Sequence, residues 1–130
     1  MKRLIVILLS LLPVVTAIAA KDYSWVCAVE WTEEQPEWVF VYEDIKRNND
    51  GTYRAFIQWE FTNDPSKAYA IQTWLISSDF DQIRVMGTVG YDKQNNVAYT
   101  DSTPQNWKYV LPETYAEAIV QTIREILSTQ

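Results

Sequence analysis

The residues able to do chemistry in this 130-residue chain are few, and they fall into three groups. Two carboxylate pairs, Glu33 with Glu34 and Asp79 with Asp81, have the make-up of a glycosidase acid/base pair or of oxygen ligands for a hard cation such as calcium. Acids this close together in polar segments more commonly serve as solvated turn residues, and that reading takes precedence. Four tryptophans, Trp31, Trp38, Trp74 and Trp107, could stack on a sugar ring if exposed. Their competing role is core and sheet packing, where large aromatics contribute most. Trp107, in the polar segment 101–108, and Trp31 are the ligand-binding candidates. The third group is the unpaired backbone of a sheet edge, which can accept a partner strand and so give a dimer or a peptide complex.

What is missing narrows the chemistry further. With no histidine in the sequence, a Ser-His-Asp triad, a Cys-His pair, a histidine general acid/base and the histidine-containing zinc sites are all excluded. Cys27 is the single cysteine, so no intrachain disulfide forms, and its expected role is that of a small buried hydrophobe in a strand. The expected protein is therefore not an enzyme and needs no cofactor or metal.

The first twenty residues read as a signal peptide: Lys2 and Arg3, an apolar run from Leu4 to Val15, then the small residues Ala17, Ala19 and Ala20. Cleavage is expected after Ala19, with Ala20 as the neighbouring alternative. Pro13 argues against an uncleaved anchor, and the Tyr23-Ser24-Trp25-Val26 stretch before Cys27 is no lipidation signal. Losing Lys2 and Arg3 leaves 9 basic against 17 acidic side chains, a net charge of −8. That charge, without a basic cluster, excludes nucleic acid and anionic membrane surfaces as partners. No stable membrane insertion is expected once the signal has gone. All 18 aromatic residues stay in the mature portion, enough to fill the core of one domain over 21–130.

The elements that must position these residues follow from period. Apolar residues alternate over Trp25 to Trp31, Trp38 to Glu43, Thr52 to Thr62, Ala68 to Ser77, Gln82 to Tyr91 and Val97 to Thr100, the mark of half-buried strands. In the third, Tyr53, Ala55, Ile57, Trp59 and Phe61 share one face; in the fourth, Tyr69, Ile71, Thr73 and Leu75 oppose Gln72 and Trp74. The fifth sets Ile83, Val85, Val89 and Tyr91 against Arg84, Met86 and Thr88, and its Gly87 and Gly90 mark a bulge or a close neighbour. The segment Lys46 to Gly51 is a polar turn whose glycine supplies a positive φ. Turns this short require antiparallel neighbours. The period then changes. Thr114-Tyr115-Ala116-Glu117 fits a capping box, with the Glu117 carboxylate reaching back to the Thr114 N–H, and Ile119, Val120, Ile123, Ile126 and Leu127 form a helical stripe that needs a sheet face to bury it. The expected architecture is α+β: a roughly six-stranded antiparallel sheet with one C-terminal α-helix packed on one face.

The run Trp38 to Glu60, then Arg84 to Asp92 closing on Gly-Tyr-Asp, then Asn106-Trp107-Lys108-Tyr109-Val110-Leu111-Pro112 ahead of the Thr114 helix, resembles the surface-adhesin protein E family of small exported bacterial domains. The resemblance covers nearly the whole mature chain and lies in the order of its motifs. It implies the same sheet-plus-helix architecture. Members commonly carry a cysteine after the fourth strand and another near the helix end, where this chain has Asp79-Phe80-Asp81 and Leu127-Ser128-Thr129-Gln130. Helix docking here must rest on apolar contact alone. The namesake's adhesion to host matrix proteins does not follow from a shared fold, and no binding residue is carried across. The expectation is an exported binding module, periplasmic or at the cell surface, that holds a host-matrix or envelope protein through a sheet face or edge, with homodimerisation through an edge as one route. The alternatives are a small envelope carbohydrate-binding or glycan-processing protein that uses exposed tryptophan, and a component that stabilises or inhibits an envelope enzyme.

Overall fold

Alternation along the chain writes one antiparallel sheet. The computed structural model describes residues 23–61 and 68–130; the expected signal peptide with Ala19 and Ala20, and the loop expected over Asn63 to Lys67, lie outside the described residues. The strands are β1 (Trp25–Val29), β2 (Glu37–Tyr42), β3 (Lys46–Arg47), β4 (Tyr53–Phe61), β5 (Tyr69–Ile76), β6 (Gln82–Tyr91), β7 (Val97–Asp101) and β8 (Lys108–Tyr109), followed by helix α1 (Tyr115–Ser128). Their order across the sheet is β1-β2-β4-β5-β6-β7, with β3 paired to β4 and β8 to β6. The six long strands are those the sequence pattern predicts, and the architecture is the expected α+β one.

Two short strands are additions. Lys46 and Arg47, expected within a turn, pair with Arg54 and Tyr53. The reversal is tighter than composition suggests because Asp50 Oδ1 accepts from the N–H (3.0 Å) and hydroxyl (2.6 Å) of Thr52 while Gly51 takes φ +91°. β8 forms where the chain returns along β6, held on either side by Gln105 N–H to Val85 O and Val110 N–H to Asp81 O, both 2.8 Å. β1, in contrast, stops short: its register shifts between Cys27 and Val29, and Trp31 lies in the 30–36 loop rather than in the strand. That loop closes on itself through Thr32 N–H to Gln35 O and Gln35 N–H to Thr32 Oγ1, both 2.9 Å.

One face of the sheet meets the helix. Val39, Val41, Ala55, Ile57, Trp74, Ile76, Ile83 and Val85 are buried there with Ile119, Val120, Ile123 and Ile126, and Leu127 packs at the margin. Each such side chain, fully buried, contributes about 1.5–3 kcal/mol before conformational entropy is counted. The helix runs alongside β2, from Tyr115 Oη donating to Glu37 at 2.7 Å to Gln130 Nε2 donating to the Glu43 carbonyl at 3.0 Å. Thr114 caps it by accepting from Glu117 N–H at 3.2 Å. The reciprocal bond differs from the expected box: the Glu117 carboxylate accepts from Glu113 N–H at 3.1 Å, not from Thr114. The Thr114 hydroxyl also donates to Leu111 O at 2.6 Å, which ties the entry loop to the cap.

One face assignment holds and one is corrected. In β5 the grouping holds: Tyr69, Ile71, Thr73 and Leu75 share one face, and because the buried set is Ala70, Trp74 and Ile76, it is the face turned away from the helix. Register decides this, because Trp74 sits opposite Ala55 and Gln72 opposite Ile57. Gln72 is tolerated on the helix side because its Oε1 accepts from the indoles of Trp59 and Trp74, each at 2.9 Å, while its Nε2 donates to Thr88 at 3.3 Å. In β6 the register jumps between Gly87, opposite Thr73, and Val85, opposite Trp74. Met86 is the extra residue of that bulge, and one extra residue turns the rest of the strand over. Ile83 and Val85 therefore face the helix whereas Val89 and Tyr91 do not. Gly90 does have a close neighbour: the ring of Tyr99 occupies the space a side chain would need.

Candidate functional site

The residues singled out for chemistry are dispersed. Trp31 is 39% exposed and Trp107 38% exposed, as a ligand-stacking role would need. They lie at opposite edges and opposite ends of the sheet, Trp31 beyond the end of β1 and Trp107 ahead of β8. The structure does not bring them together. Trp107 borders a shallow cleft of about 300 Å³ with Thr52, Ser77, Ser78 and Gln82. Trp74, at 4% exposure, is core. Glu33 and Glu34 are exposed in the 30–36 loop.

Asp79 and Asp81 are turn residues. The Ser77 hydroxyl lies 2.8 Å from Asp79 Oδ1 and 3.0 Å from Asp81 Oδ1, and accepts from Gln82 N–H at 2.9 Å, which fastens the β5–β6 hairpin. The Asp79 carboxyl is held below the usual range by hydrogen bonds from Asp81 and Ser77, and Asp81 is pushed up by the same contact with Asp79. Phe80 between them adopts φ +65°, stacks on Tyr53 at 5.2 Å and lies under the Arg124 guanidinium at 5.1 Å. Among the described residues, no group of three or more His, Cys, Asp or Glu side chains could hold a metal ion.

Cys27 corrects a prediction. It lies in β1 but is exposed, because its neighbours Val26 and Ala28 take the side of the strand that packs on the core. Partial screening, then the nearby Glu30 carboxylate, pushes its thiol pKa up, which lowers the thiolate fraction and keeps it a poor nucleophile.

The helix-free face of the sheet is where structure adds most. Trp25 on β1, Trp38, Phe40 and Tyr42 on β2, and Phe56 on β4 share it with Tyr69, Ile71 and Leu75 on β5 and Val89 and Tyr91 on β6. These side chains are half-buried by one another rather than by a covering layer. Trp25 tilts against Tyr42 at 5.0 Å, Trp38 stacks along Phe40 at 6.1 Å, and Tyr69 stacks on Tyr91 at 4.7 Å. Two shallow depressions interrupt the face. One, of about 240 Å³, is walled by Trp25, Phe40, Gln58 and Glu60, with Gln58 Nε2 donating to Glu60 Oε2 at 3.3 Å. The other, of about 230 Å³, lies over Ile71, Met86, Gly87, Val89 and Thr100.

A sheet face is among the expected recognition surfaces, but the single-residue candidates do not include these rings, although the sequence carries a signal for them. Trp38-Val39-Phe40-Val41-Tyr42 is apolar at every position, the composition of a strand covered on both sides. A single helix covers one.

On the helix side, an open cleft of about 810 Å³ separates the 30–35 loop from the start of α1, with Glu30, Gln35, Glu113, Glu117 and Gln121 on its walls. Tyr115 lines it, and its phenol is pushed up to about 12 by burial and by the Glu37 carboxylate it bonds. Among the described residues no helix is long and apolar enough to cross a membrane. Comparison of the chain with protein-family models, with curated proteins and with solved structures finds no match.

Proposed function

We propose that this protein is an exported, non-enzymatic binding module of the surface-adhesin protein E-like kind, and that it recognises a protein partner through the helix-free face of its sheet. The observation that carries this reading is the aromatic and aliphatic surface spread over β1, β2, β4, β5 and β6 with no second layer over it among the described residues. Monomeric soluble domains seldom expose a contiguous apolar patch of this kind unless it is an interaction site. Recognition through an edge is less well supported. Both edge strands, β1 and β7, carry a register shift in the ladder that joins them to the sheet, a device that blunts strand addition. The proposed partner is a protein, either a host-matrix protein or one of the envelope, a second copy of this chain included, and the proposed place is the periplasm or the cell surface.

The test is a photo-cross-linking amino acid in place of Ile71 on the open face, with Glu125 on the exposed side of α1 as control, in cells that express the full chain. The expected result is a protein adduct at 71 and none at 125. Equal labelling at both positions, or none at either, overturns the reading. So does substrate turnover by the purified protein that a point substitution abolishes.

One specific observation favours a second reading, that of a carbohydrate-binding protein. It is the depression where two aromatic rings, Trp25 and Phe40, flank an amide and a carboxylate, Gln58 and Glu60. Rings for stacking beside planar polar groups for hydroxyls are what a sugar needs, and this set is better placed than Trp31 and Trp107. Quenching of tryptophan fluorescence by an oligosaccharide panel, lost on Trp25→Ala, is the expected result under that reading.

A further inference from the structure

We infer that the partner of the open face is a second copy of this chain, packed face to face about a two-fold axis that lies between the sheets and runs across the strands. The inference rests on the reading that this face is the protein's interaction surface. Its argument is charge placement. On β4 the open-face positions run from Arg54 to Glu60, six residues and so about 20 Å apart. The basic end is extended by Arg84, one strand further on and in register with Leu75, which itself pairs with Arg54. The acidic end is flanked by Tyr69 and Tyr91, aligned with Glu60. One end of an apolar face is therefore cationic and the other anionic.

A two-fold axis at the level of Ile57 reverses the strand direction of the second copy and keeps the order of its strands. Arg54 then meets Glu60 of the second copy, and Glu60 meets Arg54, as an isologous interface requires. The same operation sets Phe40 over Tyr42 and brings Arg84 to Tyr91, where a guanidinium can lie on a ring. A two-fold axis along the strands would instead set Arg54 on Arg54, so the charges select one of the two symmetric arrangements. The Arg54 guanidinium lies over the Phe56 ring at 5.3 Å, on the face that the second copy would meet. Two sheets with apolar inner faces pack aligned, about 10 Å apart, which is the geometry this arrangement needs.

Sedimentation of the purified mature chain over a concentration series, combined with charge reversal, tests the inference. The wild type is expected to dimerise with a dissociation constant in the micromolar range or tighter. Arg54→Glu and Glu60→Arg each bring like charges together twice per dimer and are expected to weaken it by about 100-fold or more. The double variant Arg54→Glu/Glu60→Arg is expected to regain the dimer, and an equimolar mixture of the two single variants is expected to form a heterodimer. Within one chain the two positions are too far apart to compensate each other, so rescue reports a contact between chains; it also excludes misfolding of the single variants. A monomeric wild type, single variants that dimerise as well as the wild type, or a double variant no better than either single one overturns the inference. Cross-linking at Ile71 separates this failure from failure of the wider reading. An adduct to a second copy supports both, an adduct to a different protein by a monomeric chain overturns only the dimer, and no adduct overturns both.

Discussion

The two faces of this sheet are made from the same alternating strands and differ in what closes them. On the helix side Val39, Val41, Ala55, Ile57 and Ile76 have no exposed surface, and the large ring of Trp74 is buried among them. On the other side the same strands present Trp38, Phe40, Tyr42 and Phe56, broad rings that shield one another and stay half-buried. Compact branched side chains interdigitate with a helix at close-packed density, whereas flat rings cover area without needing a lid. The lesson is that apolar content alone does not tell core from interface. Covering does.

The largest expected effect tests that distinction directly. Ile123→Ala empties a fully buried position beneath the helix and is expected to cost about 2–5 kcal/mol. Ile71→Ala, on the open face and measured where the chain is monomeric, is expected to cost about 1 kcal/mol or less. Denaturant midpoints at constant slope give both values, and equal losses would mean that the two faces do not differ as described. Next comes the far end of the helix-side face, which α1 does not reach and the Tyr99 ring covers instead. Gly90→Ala places a methyl group where that ring lies and is expected to cost about 1–3 kcal/mol. In Tyr99→Ala the same glycine substitution should cost far less; a cycle without coupling would show that the ring is not seated there. Thr114→Ala removes the cap that starts the covering helix and is expected to lower stability by about 1 kcal/mol. An unchanged melting midpoint would place the helix start elsewhere.

How much of this was legible in the sequence depended on whether one residue or several set the outcome. The six long strands, the Thr114 start of the helix and its buried stripe are local patterns and all appear, with β1 alone cut short at Val29. Faces are not local. The side to which Ile71 points was fixed by its pairing with Gln58, and the turning over of Val89 and Tyr91 by one bulged residue, Met86. Neither carries a residue-level mark, although Gly87 beside the bulge did hint at it. A polar Gln72 on the helix side is explained only by the two indoles that donate to its Oε1, an arrangement that no single residue announces. The open face was legible in part, through the uninterrupted apolar run of β2. It was obscured because attention to single exposed tryptophans favours loop residues such as Trp31 and Trp107, while the interacting rings are half-buried neighbours in adjacent strands.

The smallest effect lies where the covered face ends. Tyr115 closes the helix N-terminus onto the sheet, its ring edge-on to Trp59 at 5.3 Å and its hydroxyl donating to Glu37. Its phenol is pushed up to about 12 by burial and by that carboxylate. An unfolded tyrosine releases its proton near pH 10. The folded form therefore holds the proton more tightly, and the stabilisation this gives is complete below pH 10 and is lost as pH rises from 10 through 12. Tyr115→Phe keeps the ring contact but has no proton to lose, so this part of the alkaline loss should vanish from its pH profile. The expected outcome is a small stability deficit relative to the wild type at pH 7, from the missing hydrogen bond, which narrows between pH 10 and 12 as the wild type loses its advantage. A deficit that stays constant across that range would show that the Tyr115–Glu37 contact does not form in solution, and would leave the closure of the covered face to apolar packing alone.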